Sequence, residues 1–489
     1  MNGVAKRLSL WSLPAVLAFG LSAGSAAQPY DFGNPSPDEE WMRQLMNRAR
    51  LDGEAEADRL GLVNDHVEDD PDGAYDVGEG ITLSGVTDQR DYWSRYQGPR
   101  QPLAWSASLN AAALNHSDDM HTFNFFDHYT EQSSHGYTGG GYPDGDRPSD
   151  RAYQEGYVNH FVFENIAVGT PAGWYSAADM HVGFFNDLGP PPYPGRGHRK
   201  NILHSFLREV GIGYVSRDPN AGGWCDYWTI DLASDAFAAA GYDDPSPVTD
   251  TVYVTGVVFD DDGDGAYEVG EEMPGVRVYV YQAGGPLLKH YADTAAGGGY
   301  SVPLLAADGS DVAEGAALRV VFFDPAGKRY LTADRTLQAG DVTMEEDNQE
   351  VARTYHQRFN VLADALAADF QAVNMGDANF DGTVNYLDVG VLATNYNTTG
   401  KDWTGADFTG DGAVSYLDLG ILSTNYGAGA GGQACPLYGA EAGGGAEAPP
   451  VPEPAALAML LAAVAAGLTA RRGGGRRAGR PQPPKRLSS

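Results

Sequence analysis

Cysteine and basic residues are scarce in this chain. Its 489 residues include only two cysteines, Cys225 and Cys435, so a disulfide framework does not hold the fold together, although export would permit one bridge. Lys and Arg number 32 against 66 Asp and Glu, which gives a net charge of −34. A chain this acidic is not expected to bind nucleic acid or an anionic membrane surface. Its clustered acids instead favour calcium, a hard cation that prefers oxygen ligands.

Long apolar runs occur only near the two ends of the chain. Residues 8–21 are apolar, follow Lys6 and Arg7, and precede the small residues 25–27. This pattern is typical of a cleaved signal peptide, here over residues 1–27, and predicts export. Beyond this segment there is no G-x-S-x-G elbow, no H-E-x-x-H helix and no motif partner for Cys225. The corresponding hydrolytic mechanisms therefore have no sequence signal.

The length of the chain is typical of about three domains. Residues 38–62 have helical spacing, with Trp41, Leu45 and Met46 on one side, and predict the first helix of a domain over residues 38–240. An acidic insertion interrupts this domain, and its residues 69–79 nearly repeat residues 261–271. A strand near the end of the domain is predicted at residues 228–234. Residues 241–250, rich in Pro and acids, form a linker.

Four acid and base residues lie in separate segments of this first domain. His116 is on a predicted helix, one turn from its apolar face, and Glu164 opens the run ENIAVG. Asp187 follows a Phe-Phe pair, and His198 lies in GHRKNIL. Imidazoles and carboxylates brought together by folding can bind a divalent metal or transfer protons. These four residues are the candidate site.

The surrounding motifs resemble the CAP superfamily of cysteine-rich secretory, antigen-5 and pathogenesis-related proteins. They are NRAR, LAW, HSDDM, FFDH, ENIAVG, GHRKNIL and EVGIGY, in this order. The resemblance implies an α-β-α sandwich whose cleft carries a four-residue site, formed here by His116, Glu164, Asp187 and His198. In that site Zn²⁺ would bind the two imidazoles while the carboxylates orient the rings.

Two functional classes remain open for this cleft. As a binding module it would hold a lipid, glycan or protein at the cell surface or in the extracellular matrix, and the family resemblance favours this class. As an enzyme it would be a metal-dependent hydrolase of peptide, cell-envelope or polysaccharide substrates, with Glu164 handling protons.

A change to two-residue periodicity marks a second domain over residues 251–345. Alternating β-branched and aromatic residues with Gly-rich turns predict an immunoglobulin-like β-sandwich. Its acidic turn resembles the calcium-stabilised B repeats of bacterial surface adhesins. The resemblance implies calcium ligands at Asp260, Asp262, Asp264 and Glu271. Residues 346–374 are predicted to form a polar helical connector.

A duplicated acidic loop of twelve residues, each copy followed by an apolar helix, occupies residues 375–427. Oxygen-bearing residues alternate, Gly is sixth and Asp is twelfth, a pattern typical of EF-hand-like calcium loops. The predicted ligand positions are Asp377, Asn379, Asp381, Thr383 and Asp388 in the first loop, and Asp407, Thr409, Asp411, Ala413 and Asp418 in the second. The duplication resembles a type I dockerin, which implies a cohesin-type protein as partner.

The C-terminal region has the composition of an address signal. A Gly-rich linker over residues 428–450 leads to Val-Pro-Glu-Pro, an apolar run at residues 455–470 and a basic cluster. Residues 451–489 resemble a PEP-CTERM sorting signal. This implies transient anchoring in the inner membrane, cleavage by a sorting protease of the exosortase system, and release to the cell surface or matrix. The apolar run is short for a stable transmembrane helix.

Overall fold

The computed structural model describes residues 27–60, 99–130, 132–137, 146–157, 162–169, 175–186, 197–216, 224–234, 251–344 and 353–429. The predicted signal peptide, the acidic insertion, the linker over residues 241–250, Asp187, Cys435 and the sorting signal lie outside the described residues. Within the described part of the chain, no helix has the length and apolar character needed to cross a membrane.

The described residues form eight α-helices and sixteen strands. The helices are α1 (Pro37–Leu51), α2 (Gly53–Arg59), α3 (Ala107–Phe123), α4 (Pro148–Gln154), α5 (Ala177–Asn186), α6 (Gly197–Leu203), α7 (Tyr386–Asn395) and α8 (Tyr416–Asn425). The strands are β1 (Gln28–Pro29), β2 (Ala104–Trp105), β3 (Val162–Val168), β4 (Glu209–Ser216), β5 (Asp226–Ala233), β6 (Tyr253–Phe259), β7 (Arg277–Gln282), β8 (Leu287–Asp293), β9 (Gly299–Pro303), β10 (Ala317–Asp324), β11 (Arg329–Thr336), β12 (Ala339–Met344), β13 (Arg353–Arg358), β14 (Val361–Leu362), β15 (Ala365–Leu366) and β16 (Gln371–Ala372).

Helix α1 begins at a capping box. Ser36 and Glu39 each accept a hydrogen bond from the other's backbone N–H, and Pro37 occupies the first helical turn. The predicted single helix over residues 38–62 instead breaks at Asp52, whose extended backbone separates α1 from α2. Leu45 and Met46 are buried as the apolar spacing predicts, whereas Trp41 is only partly buried and Met42, which was not assigned to this side, is fully buried.

The first domain has three layers around a four-stranded sheet in the order β2-β4-β5-β3. Helix α3 lies directly on one face because two strand residues there are glycines. A Cβ atom on Gly211 would lie 2.0 Å from the Leu109 carbonyl carbon, and one on Gly213 would lie 2.3 Å from that of Ala113. Alternate residues such as Ile212 and Ile230 point to the opposite face, into the core that contains Met42, Phe185 and Ile202.

Two further sheets form the second domain. The larger has the order β1-β8-β7-β10-β11-β16, and the smaller joins β14, β6, β15 and β9. Their facing side chains bury a Val-rich core that includes Val254, Val278, Val320 and Phe322. Strand β1 pairs in parallel with β8, so the chain crosses the edge of this sheet before it enters the first domain.

The predicted helical connector is wrong for the part that the structure describes. Residues 353–358 pair with β12, and β14 and β15 pair in parallel with β6. Val361, Ala363 and Ala365 enter the shared core. Local polarity suggested a solvated helix, whereas pairing with a distant strand buries these residues, and such pairing leaves no local periodicity.

The first domain and the β-sandwich share one continuous core. Arg43 of α1 donates from Nη1 to Thr255 Oγ1 at 3.0 Å and from Nη2 to the Gly256 carbonyl at 2.9 Å. The Trp105 backbone N–H donates to Ser301 Oγ at 2.8 Å. A Cβ on Gly299 would overlap the Glu40 carboxylate, so glycine allows the close approach of α1. These domains are therefore packed against each other, not simply linked.

The third unit consists of the two loop–helix repeats. Asn385 caps α7 and Ser415 caps α8, and in each repeat the twelfth loop residue completes a capping box. A separate apolar cluster joins this unit to the outer face of the larger sandwich sheet through Tyr279, Phe323 and Phe380.

Candidate functional site

Glu164 is the centre of a polar cluster in the first domain. It lies on β3, and its side chain is 1% exposed. His128 Nδ1 lies 2.7 Å from Oε1, and the Arg151 guanidinium donates to Oε2. Burial would raise the pKa of Glu164, but Arg151 and the two nearby histidines hold it well below its usual range. Glu164 is therefore an anion at neutral pH.

His128 lies at the exposed edge of this cluster, with 48% of its side chain accessible. Its hydrogen bond to Glu164 raises the pKa of the imidazole, against the effect of partial burial. Arg151 also donates to the His128 carbonyl at 2.9 Å. The backbone of His128 is therefore held by Arg151 and its ring by Glu164. The FFDH motif was part of the family resemblance, but its histidine was not among the candidate site residues predicted from the sequence. The signal was present, since this histidine closes a motif of the resembled family.

His116 is placed differently from the sequence assignment. Its ring is fully buried, with Nε2 3.0 Å from the Asp127 carbonyl and Nδ1 2.7 Å from Thr130 Oγ1. Burial, reinforced by the Arg151 charge, lowers the pKa of His116 to about 3. Both ring nitrogens are thus used inside the protein, so the geometry does not support His116 as a metal ligand. Instead it holds the turn that carries His128.

His198 lies near the N-terminus of α6, and α6 packs against β3. Its carbonyl accepts a hydrogen bond from Asn165 Nδ2 at 3.1 Å, and its ring meets Phe184 edge-on at 5.2 Å. Asn201 donates to the Glu164 carbonyl at 3.3 Å. The structure therefore attaches the GHRKNIL segment to the strand that carries Glu164. Asp187, the remaining predicted member, is among the residues that are not described.

Asp231 is a buried acid that sequence reasoning did not select. It is the cross-strand partner of Glu164 and is fully buried. Burial, followed by the Glu164 charge, raises the pKa of Asp231 well above its ordinary value. A neutral Asp231 would avoid placing a second negative charge beside Glu164. Its sequence signal was an acid inside the apolar strand WTIDLA.

Zinc does not fit the described part of this cluster. Among the residues that are described, no histidine belongs to a group of three closely spaced metal-ligating atoms. Arg151 also places a positive charge on Glu164, where it would oppose a bound cation. The predicted Zn²⁺ site therefore has no structural support there.

The duplicated loops carry oxygen donors of the kind that a hard cation prefers. In the first loop Asp377 accepts from the Gly382 N–H at 2.9 Å, and Asp388 accepts from Ala378 at 2.8 Å and Asn385 at 2.7 Å. Burial, together with the neighbouring Asp388 charge, raises the pKa of Asp377 to about 7. Crowded carboxylates of this kind are stabilised by a divalent cation with oxygen ligands.

The second loop repeats this arrangement. Asp407 accepts from the Gly412 N–H at 2.7 Å, and Asp418 accepts from Phe408 at 2.9 Å and Ser415 at 2.8 Å. Thr409 Oγ1 donates to Asp407 at 3.0 Å. The Thr409 hydroxyl thus lies beside the first ligand position of its loop, at the loop position that Asn379 occupies in the first repeat. Local spacing thus produced the same geometry twice.

The acidic turn of the β-sandwich brings together two of its four predicted ligands, Asp262 and Asp264, and adds Asp261 to them. Asp261, Asp262 and Asp264 bring carboxylate oxygens within 4.8 Å of one another. Glu271 accepts from the Asp262 N–H at 2.8 Å and closes the turn. Asp260 is outside this group and donates its backbone N–H to the Glu271 carbonyl at 2.8 Å. The calcium assignment at this turn stays a prediction.

The fold and these sites define a modular protein: a three-layer domain with a buried Glu-Arg-His cluster, a β-sandwich and a paired calcium-loop unit. Residues 94–232 match the family model described as the cysteine-rich secretory protein (CAP) family, and residues 375–425 match the dockerin type I domain. These two parts of the chain are named below after the families that they match, as the CAP domain and the dockerin domain. Dockerin type I domains bind calcium and cohesins.

Among solved structures, the chain is similar to an extracellular protein containing an SCP domain from Bacillus anthracis str. Ames. The two are 20% identical over 34% of this chain and 44% of that chain, with a TM-score of 0.20. The match thus spans less than half of that protein. Comparison with curated proteins gives no match.

Proposed function

We propose that this chain is an exported protein whose CAP domain binds a cell-surface or matrix ligand and whose dockerin domain attaches it to a cohesin-type partner. The signal peptide and sorting signal predicted from the sequence supply the route, with transient inner-membrane anchoring and exosortase-type processing. The observation that carries the proposal is a pair of matching apolar surfaces on the dockerin domain.

Each dockerin helix begins with an exposed Tyr-Leu pair. Tyr386 and Leu387 are 69% and 46% exposed, and Tyr416 and Leu417 are 71% and 48% exposed. They occupy the tenth and eleventh loop positions in both repeats, so the internal duplication presents the same apolar surface twice. Large exposed apolar groups in a repeated arrangement mark an interaction surface. A cohesin-type protein is the partner that the domain match favours.

The cluster around Glu164 supports ligand binding in preference to proton transfer. A general base works best when its pKa is near the working pH, whereas Arg151 holds the pKa of Glu164 far below neutrality. Phe126 and Tyr129 flank His128 in sequence and are 40% and 36% exposed. An aromatic edge beside a polar cluster fits a glycan, lipid or protein ligand. The metal-dependent hydrolase alternative gains no support from the described residues.

The partner surface is tested by pull-down of a panel of recombinant cohesins with the full chain in calcium. A variant carrying Tyr386→Ser with Tyr416→Ser is expected to lose at least tenfold in affinity, while each single variant retains binding through the other repeat. Tyr153→Ser, which removes an exposed tyrosine of the CAP domain, is the matched control. Equal binding by the double variant and the control would refute this surface.

The calcium requirement is tested on the same material. Asp381→Ala and Asp411→Ala are each expected to remove one bound calcium ion, because each deletes a carboxylate from one loop. Chelation should abolish cohesin binding. A calcium stoichiometry that is unchanged in both variants would contradict the loop assignment.

The ligand site is tested with glycan and lipid arrays probed by the full chain. His128→Ala should abolish binding, since it removes the exposed member of the cluster, whereas Tyr386→Ser should leave array binding intact. The full chain is required because the CAP domain shares its core with the sandwich. Identical array profiles for wild type and His128→Ala would overturn the cleft assignment.

A further inference from the structure

The two dockerin loops differ at their fourth position. Both adopt the left-handed backbone conformation there, but the first loop uses Phe380 with φ of 54° and the second uses Gly410 with φ of 77°. Glycine adopts this conformation freely, whereas a bulky side chain does so at a cost. The duplication therefore contains, in one copy only, a strained residue where the other copy has none.

The Phe380 ring is buried against the β-sandwich. It is 2% exposed, and its centroid lies 5.2 Å from that of Phe323, 5.5 Å from Tyr330 and 5.9 Å from Tyr279. These three residues belong to β10, β11 and β7 of the larger sheet. Aromatic packing of this extent offsets the backbone strain. Phe380 is thus both a member of the calcium loop and the anchor of the dockerin domain.

Arg319 of the sandwich makes a second attachment to the same loop. Its Nη2 donates to the Asn379 carbonyl at 2.8 Å and its Nη1 to the Phe380 carbonyl at 3.2 Å. Its guanidinium lies over the Tyr281 ring at 4.7 Å, which orients it. Within the described residues, no sandwich side chain donates to the corresponding carbonyls of the second loop. This attachment through loop carbonyls is made to the first loop, while the sandwich also contacts Asp402 ahead of the second loop, where Tyr279 Oη donates to Oδ2 at 2.8 Å.

The inner side of the first loop is tied to the same contact. Trp403 stacks on Phe380 with centroids 6.3 Å apart, and its Nε1 donates to the Asp377 carbonyl at 2.6 Å. Asp377 is the first calcium-ligand position of this loop. One apolar cluster thus joins the sandwich sheet, the fourth loop residue and the first ligand position.

We propose that the larger sandwich sheet is an intramolecular docking surface for the first calcium loop, so that calcium binding there and attachment of the dockerin domain to the sandwich stabilise each other. The coupling is reciprocal because both events favour the same loop conformation. Both Tyr-Leu pairs stay exposed in the docked arrangement. The docked protein therefore remains able to bind a partner, and calcium sets the rigidity of the connection between that partner and the CAP domain. This goes beyond the proposed function and does not depend on the identity of any partner.

The coupling is tested by calcium calorimetry on the full chain carrying Asp411→Ala, so that the second loop is silent. A further variant with Asp381→Ala identifies the heat that belongs to the first loop. Adding Arg319→Gln, which removes both hydrogen bonds to the loop, is expected to weaken calcium binding about tenfold, within the usual range for coupled sites. Arg329→Gln is the matched control, because Arg329 lies on the same sheet but bonds Asp324. Equal affinities for Arg319→Gln and Arg329→Gln would overturn the proposal.

Phe380→Gly distinguishes coupling from local strain by the direction in which the calcium affinity of the first loop changes. It gives the first loop the residue that the second loop already uses. If the sandwich stabilises the loop, removing the anchor weakens calcium binding despite the relief of strain. If the packing is independent of calcium, affinity stays unchanged or increases, and the proposal fails.

Small-angle X-ray scattering of the full chain checks the reverse direction, without relying on the Asp411→Ala background. Chelation of calcium should enlarge the radius of gyration of the wild type. The Phe380→Gly variant should have the enlarged radius of gyration even when calcium is present. Phe322→Leu is the control for Phe323→Leu, since these neighbours occupy different clusters of the sandwich. Of these two leucine variants, only Phe323→Leu should show the enlarged radius of gyration. Scattering that is independent of calcium in the wild type would refute the coupling.

Discussion

Two histidines of the CAP domain, twelve residues apart, have opposite environments. His116 is buried with both ring nitrogens bonded, whereas His128 is half exposed and contacts the Glu164 anion. The first histidine therefore contributes to stability and the second is available to a ligand. This division of roles is a hypothesis that rests on their contacts.

The same substitution at both positions tests this division. His116→Ala should lower the free energy of unfolding by about 2–4 kcal/mol, since it removes the ring partner of Thr130 Oγ1 and of the Asp127 carbonyl and creates a cavity. His128→Ala should change it by less than about 1 kcal/mol. Urea denaturation monitored by fluorescence measures both. A larger loss for His128→Ala would reverse the assignment.

Stability should also depend on pH through His116. Its pKa is lowered to about 3 in the folded protein, by burial and by Arg151, from an ordinary value near 6.5. Between those values the unfolded chain binds a proton that the folded chain does not, so the free energy of unfolding falls as pH decreases. Between pH 7 and pH 4.5 the wild type should lose about 2 kcal/mol more than His116→Asn.

His128 and Glu164 contribute to the same profile with different signs. The raised pKa of His128 gives stability that is lost as pH rises through the folded value, and the lowered pKa of Glu164 gives stability that is lost in acid. Both groups remain in His116→Asn, but Glu164 loses the His116 contribution to its pKa, so the difference between the two proteins reports on His116 together with its coupling to Glu164. Parallel urea midpoints across this pH range would contradict the prediction.

Helix α3 and strand β4 meet at a distance that only glycine permits. Gly211→Ala would place a methyl group 2.0 Å from the backbone of α3, so the helix must move. We expect a loss of about 3 kcal/mol or more in the free energy of unfolding. Because α3 carries His116 and precedes the His128 turn, the Glu164 cluster should be displaced as well.

Gly183 on α5 is the matched control for this element. Nothing lies within 4 Å of a Cβ atom added there, and the residue is inside a helix. Gly183→Ala should therefore raise the free energy of unfolding, by up to about 1 kcal/mol. Thermal denaturation compares the two variants. Similar effects of the two alanines would show that the helix does not press on the strand.

The CAP domain and the sandwich should unfold together, since one core spans both. At their junction Arg43 and Glu40 form a fully buried ion pair, and Trp105 Nε1 donates to the same carboxylate at 2.6 Å. Arg43→Met leaves the Glu40 charge buried without its partner. It should cost about 3–5 kcal/mol, whereas Arg43→Met combined with Glu40→Gln should cost less.

Differential scanning calorimetry distinguishes this from independent domains. Arg43→Met should lower the temperature of one joint transition that includes both domains. If the sandwich unfolds at its wild-type temperature while the CAP domain alone is destabilised, the shared core is not cooperative.

Local sequence was sufficient for features whose determinants lie close together in the chain. The twelve-residue spacing of acids and glycine predicted both calcium loops, because ligands, turn and helix cap are all supplied within one loop. The amphipathic spacing predicted α1, and Glu164 was identified from a motif on one strand. In each case the residues that define the feature are neighbours in sequence.

Only the tertiary structure distinguished the two histidines, brought Asp231 beside Glu164 and turned the predicted connector into strands. It also joined the CAP domain to the sandwich, and the sandwich to the first calcium loop. The physical reason is that burial and partner contacts set each of these properties, and the partners are tens to hundreds of residues away. His116 and His128 each lie in a short motif of the resembled family, HSDDM and FFDH. Only His116 has both ring nitrogens hydrogen-bonded inside the protein.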